Sequence, residues 1–151
     1  MKTRAIAVTV TVMLFVSLVF AQEKQGAQQL RDAAVFRLSL DDESYFRDER
    51  IVGFELTIEN GYLKGLPLTP IGWGLQINNE SGWRCTVSGL VAQGAAALSK
   101  NDLERIFVIA RVKGEKTIPV VNLTVDTTKD FEQSTKHILR SVKLMPFEGL
   151  K

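Results

Sequence analysis

Cysteine and histidine each occur once in the 151 residues, as Cys85 and His137. A single cysteine cannot form an intramolecular disulfide, and one Cys with one His falls short of the usual ligand set of a zinc site. A hydrolase triad needs a base beside its nucleophile, and the chain has no Gly-x-Ser-x-Gly elbow. A Cys85–His137 dyad is the thiol-based alternative. Because Cys85 alternates with Trp83 and Val87, the pattern favours a buried core thiol over a reactive one.

Long apolar runs are also missing, except at the start of the chain. Ala5–Ala21 contains no charged residue, follows a basic start, and ends in Val19-Phe20-Ala21, a permissive cleavage site before Gln22. These features predict a signal peptide over residues 1–21 and a secreted or periplasmic protein. The alternative is an uncleaved anchor, for which a run of about 17 residues is at the short limit. That segment would then be the only contact with a membrane.

A marked excess of either charge is absent as well. The full chain has 19 Lys and Arg against 17 Asp and Glu. Lys2 and Arg4 would leave with the signal peptide while no acidic residue would, so the mature chain balances at 17 of each sign. Nucleic-acid-binding proteins usually carry a basic patch or stripe. The charge balance therefore argues against a nucleic-acid partner.

What the chain does have is alternation of apolar and polar residues, interrupted by turn residues. Residues 22–33 are polar and predict a flexible lead-in with at most a frayed helical turn. Residues 34–151 then predict one domain. Its strand candidates are Ala34–Leu40, Ile51–Glu59, Tyr62–Leu66, Trp73–Ile77, Trp83–Leu90, Leu103–Val112, Thr117–Asp126 and Lys136–Leu144. About eight strands with almost no helix predict an all-β fold, a single antiparallel β-sandwich of the jelly-roll or Ig-like type.

The clearest alternation lies in Ile51–Gly61. The apolar members predict a buried face and the intervening residues a solvent face. The buried face would hold Val52, Phe54, Leu56 and Ile58, and the solvent face Glu55, Thr57 and Glu59. Asn60-Gly61 suits a type I′ hairpin, which would place Tyr62 opposite Glu59.

Two further segments carry local signals. Asn78–Gly82 is a cluster of turn residues that predicts a loop between two strands. Ser99-Lys100-Asn101-Asp102 has the form of a capping box, with an acid three residues after a serine, and predicts one helical turn before Leu103.

The densest charge cluster is Asp41–Arg50. Its carboxylates are those of Asp41, Asp42, Glu43, Asp48 and Glu49. Oxygen ligands at this density are calcium candidates. The order does not match an EF-hand loop, and Arg47 and Arg50 compete for the same oxygens, which favours a solvated connection. No other cofactor is indicated.

Aromatic side chains are the main candidates for binding. They are Tyr62, Tyr45, Trp73 and Trp83. Aromatic rings can stack on sugars or anchor a protein partner, but a Trp in register with apolar neighbours, as both are, is more often core. Tyr62, solvent-facing in the hairpin, is the better exposed candidate. Surface carboxylates such as Glu55 and Glu59 leave a glycoside hydrolase open, because the separation of the catalytic pair is spatial.

Gly53-Phe54-Glu55-Leu56-Thr57-Ile58, followed by a turn and Tyr62–Leu66, resembles the opening of cohesin-type sandwiches. Gly94–Leu98 leading into Leu103–Val112 is similar to their later half. The resemblance spans Val35–Leu144 and implies a jelly-roll-like sandwich, extracellular placement and non-catalytic binding. We therefore expect an exported interaction module, not an enzyme, that binds an extracellular protein. The alternatives are a carbohydrate-binding module for a polysaccharide and a small hydrolase using surface carboxylates.

Overall fold

The computed structural model describes residues 21–65, 67–68, 70–80 and 83–147. The predicted signal peptide, apart from Ala21, lies outside these residues. By its contacts the chain divides into two units, Met1–Asp32 and Ala33–Lys151. In the first, residues 21–32 form helix α1, where the sequence predicted at most a frayed turn in a flexible lead-in. None of the described helices is long and apolar enough to cross a bilayer.

The second unit contains two antiparallel sheets, of five and four strands, an arrangement consistent with the predicted β-sandwich. The five-stranded sheet has the order β4-β5-β2-β7-β8. Its strands are β2 (Arg50–Glu59), β4 (Trp73–Glu80), β5 (Arg84–Val91), β7 (Val120–Thr128) and β8 (Thr135–Leu139). The four-stranded sheet has the order β3-β6-β1-β9. Its strands are β1 (Val35–Leu40), β3 (Gly61–Leu63), β6 (Ile109–Arg111) and β9 (Val142–Pro146).

The core is built from one face of each sheet. Phe36 and Leu38 of β1 and Leu56 of β2 are buried, as are Val87 of β5 and Leu123 of β7. The described residues of this unit also form two short helices, α2 (Tyr45–Asp48) and α3 (Lys100–Ile106). The alternation of buried and more exposed residues along β1, β2, β5 and β7 gives each sheet one apolar face, which can leave water only against another layer.

The buried face predicted for β2 is confirmed for Phe54, Leu56 and Ile58. Val52 is only half-buried, because the pairing of β2 with β7 shifts register between Ile51 and Gly53. A bulge of this kind turns a side chain away from its regular face. Ile51 is fully buried instead. On the opposite face Glu55 is exposed as predicted, while Thr57 and Glu59 are half-buried.

The hairpin predicted at Asn60-Gly61 is wrong. β2 pairs with β5 and β7, whereas β3 pairs with β6 in the other sheet, with Tyr62 opposite Ala110. Asn60 has a positive φ of 56° as expected, but here it redirects the chain from one sheet to the other. A Cβ at Gly61 would lie 2.9 Å from the Ala110 carbonyl oxygen and from the Pro119 ring. The glycine therefore permits close packing at the crossing rather than a tight turn.

The strand predicted over Leu103–Val112 is wrong in its first half. Ser99 and Asp102 form the predicted capping box, with Asp102 N donating to Ser99 Oγ and Ser99 N donating to Asp102 Oδ2. These bonds to Ser99 also lower the pKa of the Asp102 carboxyl. Helix α3 then continues to Ile106. Leu103, Ile106 and Phe107 are buried, and their i, i+3, i+4 spacing is that of an amphipathic helix and not the period of two of a strand.

Three other boundaries differ from expectation. The predicted final strand, Lys136–Leu144, divides into β8 and β9, which belong to different sheets. β4 runs on to Glu80 through much of the predicted Asn78–Gly82 turn. Trp83 lies in the turn before β5, and its side chain is 52% exposed rather than part of the core. The alternation with Cys85 is real, but Trp83 lies beyond the end of the strand.

Cys85 is buried as predicted, at 1% exposure, and burial raises the pKa of its thiol. We expect a thiol reagent to label native protein at least about 100-fold more slowly than the urea-unfolded chain, since the thiolate is the reactive form. The control is Glu55→Cys, which adds an exposed thiol that should label at once. Equal labelling rates for Cys85 and the added cysteine would contradict the assignment.

Candidate functional site

A cleft of about 690 Å³ opens at the end of the sandwich where β2 begins and β5 ends. The bulged Val52 lies on one side of it, and two loops form walls: the segment after β5, residues 92–95, and the turn between β7 and β8, residues 131–134. Leu90 and Phe131 line the cleft and are 64% and 62% exposed. The bulge thus gives this end of β2 an apolar side chain that faces the cleft and not the core.

Phe131 is held in an unusual conformation at the cleft. Its φ of 64° lies in the left-handed region, which costs a non-glycine residue about 1–2 kcal/mol. The buried Thr128 hydroxyl accepts from Phe131 N at 3.0 Å and donates to Gln133 O at 2.7 Å. Asp130 Oδ1 accepts from Glu132 N at 3.0 Å, and this bond lowers the pKa of the Asp130 carboxyl. The loop is therefore braced from within while it presents an aromatic ring to solvent.

The opposite wall is fixed to β4. Trp73 Nε1 donates to Ala96 O at 2.8 Å, and Ala92 N donates to Gly72 O at 2.7 Å. The Trp73 ring also stacks on Phe54 of the core, with centroids 5.8 Å apart. Trp73, predicted as a binding residue, thus holds the cleft wall in place.

The chemistry of the cleft is mainly apolar with an acidic margin. Beside Leu90, Val91 and Phe131, the lining includes side-chain amides and one carboxylate, that of Glu132. No basic side chain lines the cleft in the described part of the chain. Such a surface suits an apolar group that carries a positive charge next to it.

The four predicted aromatic candidates do not form one site. Tyr62 and Trp83 are both exposed near the crossing from β2 to β3, where Asn60 N donates to Trp83 O at 2.8 Å. That crossing is at the far end of β2 from the cleft, about 25 Å along the strand from Val52. Tyr45 stacks on His137, with centroids 3.9 Å apart. A continuous aromatic platform for a sugar chain is therefore not made by these residues.

His137 belongs to a polar cluster that sequence reasoning did not find. Its Nε2 lies 3.0 Å from Thr127 Oγ1 and 3.7 Å from Glu49 Oε2, and Thr127 Oγ1 donates to the same Glu49 oxygen. Thr127 is fully buried and Tyr45 covers the imidazole ring, so the hydroxyl is closed to a substrate. The cluster ties α2 to β7 and β8. Cys85 lies on β5, three strand spacings of about 4.8 Å away, so the Cys85–His137 dyad is not formed.

The calcium candidates point to different partners. Lys143 Nζ lies 2.8 Å from Asp41 and lowers the pKa of its carboxyl, and Lys100 lies 3.5 Å from Asp42. Glu49 is bound in the cluster at His137, and Glu43 and Asp48 flank or lie in α2. In the part of the chain that the structure describes, no three acidic, His or Cys side chains come together as a metal site would require.

A smaller groove of about 430 Å³ lies on the outer face of the five-stranded sheet. Glu55 faces Thr124 and Asp126 faces Gly53, so the two carboxylates are diagonal neighbours on adjacent strands. A Cβ at Gly53 would lie 3.0 Å from Asp126 Oδ2, which shows how closely that carboxylate lies on β2. Lys136 is opposite Asp126 on β8. On this face Glu55 lies closer to Asp126 than to Glu59, which is four residues, or about 13 Å, further along β2.

Two cleft residues, Phe131 and Leu90, were missed by sequence reasoning. Phe131 lies between the predicted strands Thr117–Asp126 and Lys136–Leu144, and a single large apolar residue in this polar segment is a usable signal. Leu90 is the last residue of the predicted strand Trp83–Leu90, and the sequence pattern of that strand does not mark its outer face as a binding surface. Neither residue could be joined to Val52 without knowing that β5 and β7 flank β2.

With this geometry established, comparison with known proteins adds no family assignment. The two segments that resemble cohesins differ from the expected pattern, since β3 joins the other sheet and residues 100–106 form a helix. The chain matches no protein-family model, no curated protein and no solved structure.

Proposed function

We propose that this chain is an exported, non-catalytic interaction module that binds a protein partner through the cleft around Phe131. The observation that carries the proposal is the exposed Phe131 ring, held at a positive φ by hydrogen bonds of its own loop. Strained residues that the surrounding structure holds in place concentrate at functional sites. A rigid, exposed aromatic residue is also the usual anchor of a protein interface.

The partner that fits best is a polypeptide segment with a basic residue beside an apolar one. The apolar side chain would contact Leu90 and Phe131, and the basic group would approach Glu132, which has no basic neighbour among the described cleft residues. Export is supported by the apolar N-terminal segment of the sequence. The cohesin resemblance, with its jelly-roll-like topology and extracellular binding role, supports the same proposal at the level of sequence pattern only.

The site is tested with Phe131→Ala and a phage-displayed random peptide library. Wild-type protein should select peptides that pair an apolar residue with Lys or Arg, and Phe131→Ala should weaken the selected peptides at least about 10-fold, since hot-spot aromatics contribute 2 kcal/mol or more. The matched control is Ile138→Ala, an exposed apolar residue on β8 outside the cleft, which should bind as wild type. Equal loss in both variants would contradict the site.

Phe131→Gly separates binding from stability. Glycine adopts a positive φ freely, so this variant should keep the free energy of unfolding or raise it by up to about 1 kcal/mol, while it loses the peptide. A variant that loses both would indicate that Phe131 is structural.

Two rival functions give distinct results in companion assays. Retention on a glycan array, with no peptide selected, would favour a carbohydrate-binding module. The hydrolase alternative is favoured by the Glu55–Asp126 pair in the outer groove. Glycoside turnover that is abolished by Glu55→Gln or Asp126→Asn would establish it and overturn the binding proposal.

A further inference from the structure

β4 is an open edge of the five-stranded sheet and lacks the usual protection of an edge strand. It pairs with β5 along its whole length without a bulge and contains no proline or lysine. Its one charge, Glu80, lies at its end and 3.9 Å from Arg84. The other edge strands, β3, β8 and β9, are shorter, and β8 and β9 carry lysine. A long, neutral and regular edge is a template for pairing with another strand.

The main-chain groups that face outward from β4 can be assigned from its register. Ala92 N donates to Gly72 O, so the hydrogen-bonded pairs between β4 and β5 continue at every second residue from Gly72. The intervening residues direct N–H and C=O away from β5. They are Trp73, Leu75, Ile77 and Asn79. Nothing in the described ranges pairs with this side of β4.

We propose that two copies of this chain pair β4 with β4 in antiparallel orientation, about a two-fold axis at Gln76. In this register Trp73 is opposite Asn79 of the second copy, and Leu75 is opposite Ile77. All four outward residues then form hydrogen-bonded pairs, which supply about eight N–H···O bonds. Shifting the axis by one residue in either direction leaves at least one of the four without its pair. The two sheets become one continuous sheet.

The side chains of β4 are self-complementary in the same register. On the inner face Leu75 and Ile77 meet across the axis and continue the apolar layer, which now ends at a partly exposed Ile77. On the outer face the Gln76 amide meets its own copy, and two side-chain amides can hydrogen-bond to each other. Glu80, the only charge of the strand, is opposite Gly72. No like charges face each other, so the pairing carries no repulsive contact.

The register also brings together exposed apolar residues from the two ends of β4. Ile71, just before β4, is 98% exposed, and Trp83, in the turn after β4, is also largely exposed. Antiparallel pairing about Gln76 places the Ile71 end of one copy beside the Trp83 end of the other, twice in each dimer. A single exposed apolar residue is ordinary. That the same register brings the ends carrying Ile71 and Trp83 side by side favours a second copy as the occupant of this edge.

The first test is Gln76→Cys in the full chain, under oxidising conditions. Residues that face each other in a non-hydrogen-bonded pair have Cα atoms about 4.5 Å apart, which a disulfide can bridge. We expect most of the chain to run as a disulfide-linked dimer on a non-reducing gel. In Asn78→Cys the new cysteine is opposite Gly74 of the second copy and lies about 13 Å along the strand from the cysteine of that copy. This variant should therefore run as a monomer on the same gel. Absence of cross-linking at 76, or equal cross-linking at 78, would overturn the proposal.

The second test uses charge in place of a covalent bond. Gln76→Lys and Gln76→Glu should each sediment as monomers. At a protein concentration low enough to dissociate the wild-type dimer, their thermal midpoints should equal that of wild type, since the side chain is exposed in the single copy. An equimolar mixture should restore the dimer, because only a two-fold axis at this residue places the two charges together. Phe131→Ala should remain dimeric, which separates this result from the proposed binding function. Wild-type chain that stays monomeric up to about 100 µM, or a mixture that fails to associate, would refute the pairing.

Discussion

Phe54→Ala is expected to lower the free energy of unfolding by about 3–5 kcal/mol, the range observed when a buried aromatic residue is truncated. Phe54 is 4% exposed and packs edge-on against Phe107, with ring centroids 5.2 Å apart, and flat against Trp73. Those neighbours belong to the segment after α3 and to β4, so the resulting cavity would lie between two elements that pack against the Phe54 ring. Denaturant unfolding monitored by Trp fluorescence and by circular dichroism measures the loss.

The matched control for this prediction is Thr57→Ala, three residues away on the outer face of the same strand. Its hydroxyl has no hydrogen-bond partner among the residues that the structure describes, so the change should stay within about 0.5 kcal/mol. Similar midpoints for the two variants would contradict the orientation assigned to β2. The Phe54 variant should also loosen the cleft wall, because Trp73 would lose its stacking partner while keeping its bond to Ala96.

Gly89→Ala should destabilise the domain by about 1–3 kcal/mol through overpacking. Gly89 is opposite Phe54 in the sheet, and a Cβ there would overlap the Phe54 ring and lie 3.0 Å from Leu75 Cδ2. The ring itself cannot retreat, since Phe107 and Trp73 enclose it. Thermal unfolding gives the size of the effect.

Gly74→Ala is the control for Gly89→Ala, because a Cβ at Gly74 would meet only the Leu90 carbonyl oxygen, at 3.8 Å. That variant should be neutral or slightly more stable, since alanine restricts the unfolded chain. Combining Gly89→Ala with Phe54→Leu should cost less than the sum of the two single changes, as the smaller side chain makes room for the methyl group. Additive costs would show that overlap with the ring is not the cause.

Much of the candidate site could not be predicted from the sequence, for a reason visible in its residues. Val52, Leu90 and Phe131 come from three strands or their loops, and each is unremarkable in its own segment. The candidates that the sequence did indicate, such as Tyr62 and the carboxylates of Asp41–Arg50, were chosen from the residue types within one short segment. Local composition indicates which side chains could bind, whereas a cleft depends on which of them meet.

The polar cluster at His137 is a second feature that the sequence could not predict. Glu49, Thr127 and His137 are joined by hydrogen bonds although Glu49 and Thr127 lie 78 residues apart. No residue spacing in the sequence predicts a hydrogen bond between positions this far apart. In the sequence, the single histidine served only to argue against a hydrolase triad and a zinc site. In the structure, its partners are the buried hydroxyl of Thr127 and the carboxylate of Glu49.

What the sequence determined by itself is local and periodic: the apolar face of β2, the buried thiol of Cys85 and the capping box of Ser99 and Asp102. Each follows from residues a few positions apart, whose alternation or hydrogen bonding needs no other element. The tertiary structure alone decided which strands became neighbours. It sent the chain from β2 into the other sheet at Asn60 and left β4 as an open edge. Strand pairing depends on contacts between residues far apart in the chain, and period-two alternation is the same for every possible partner.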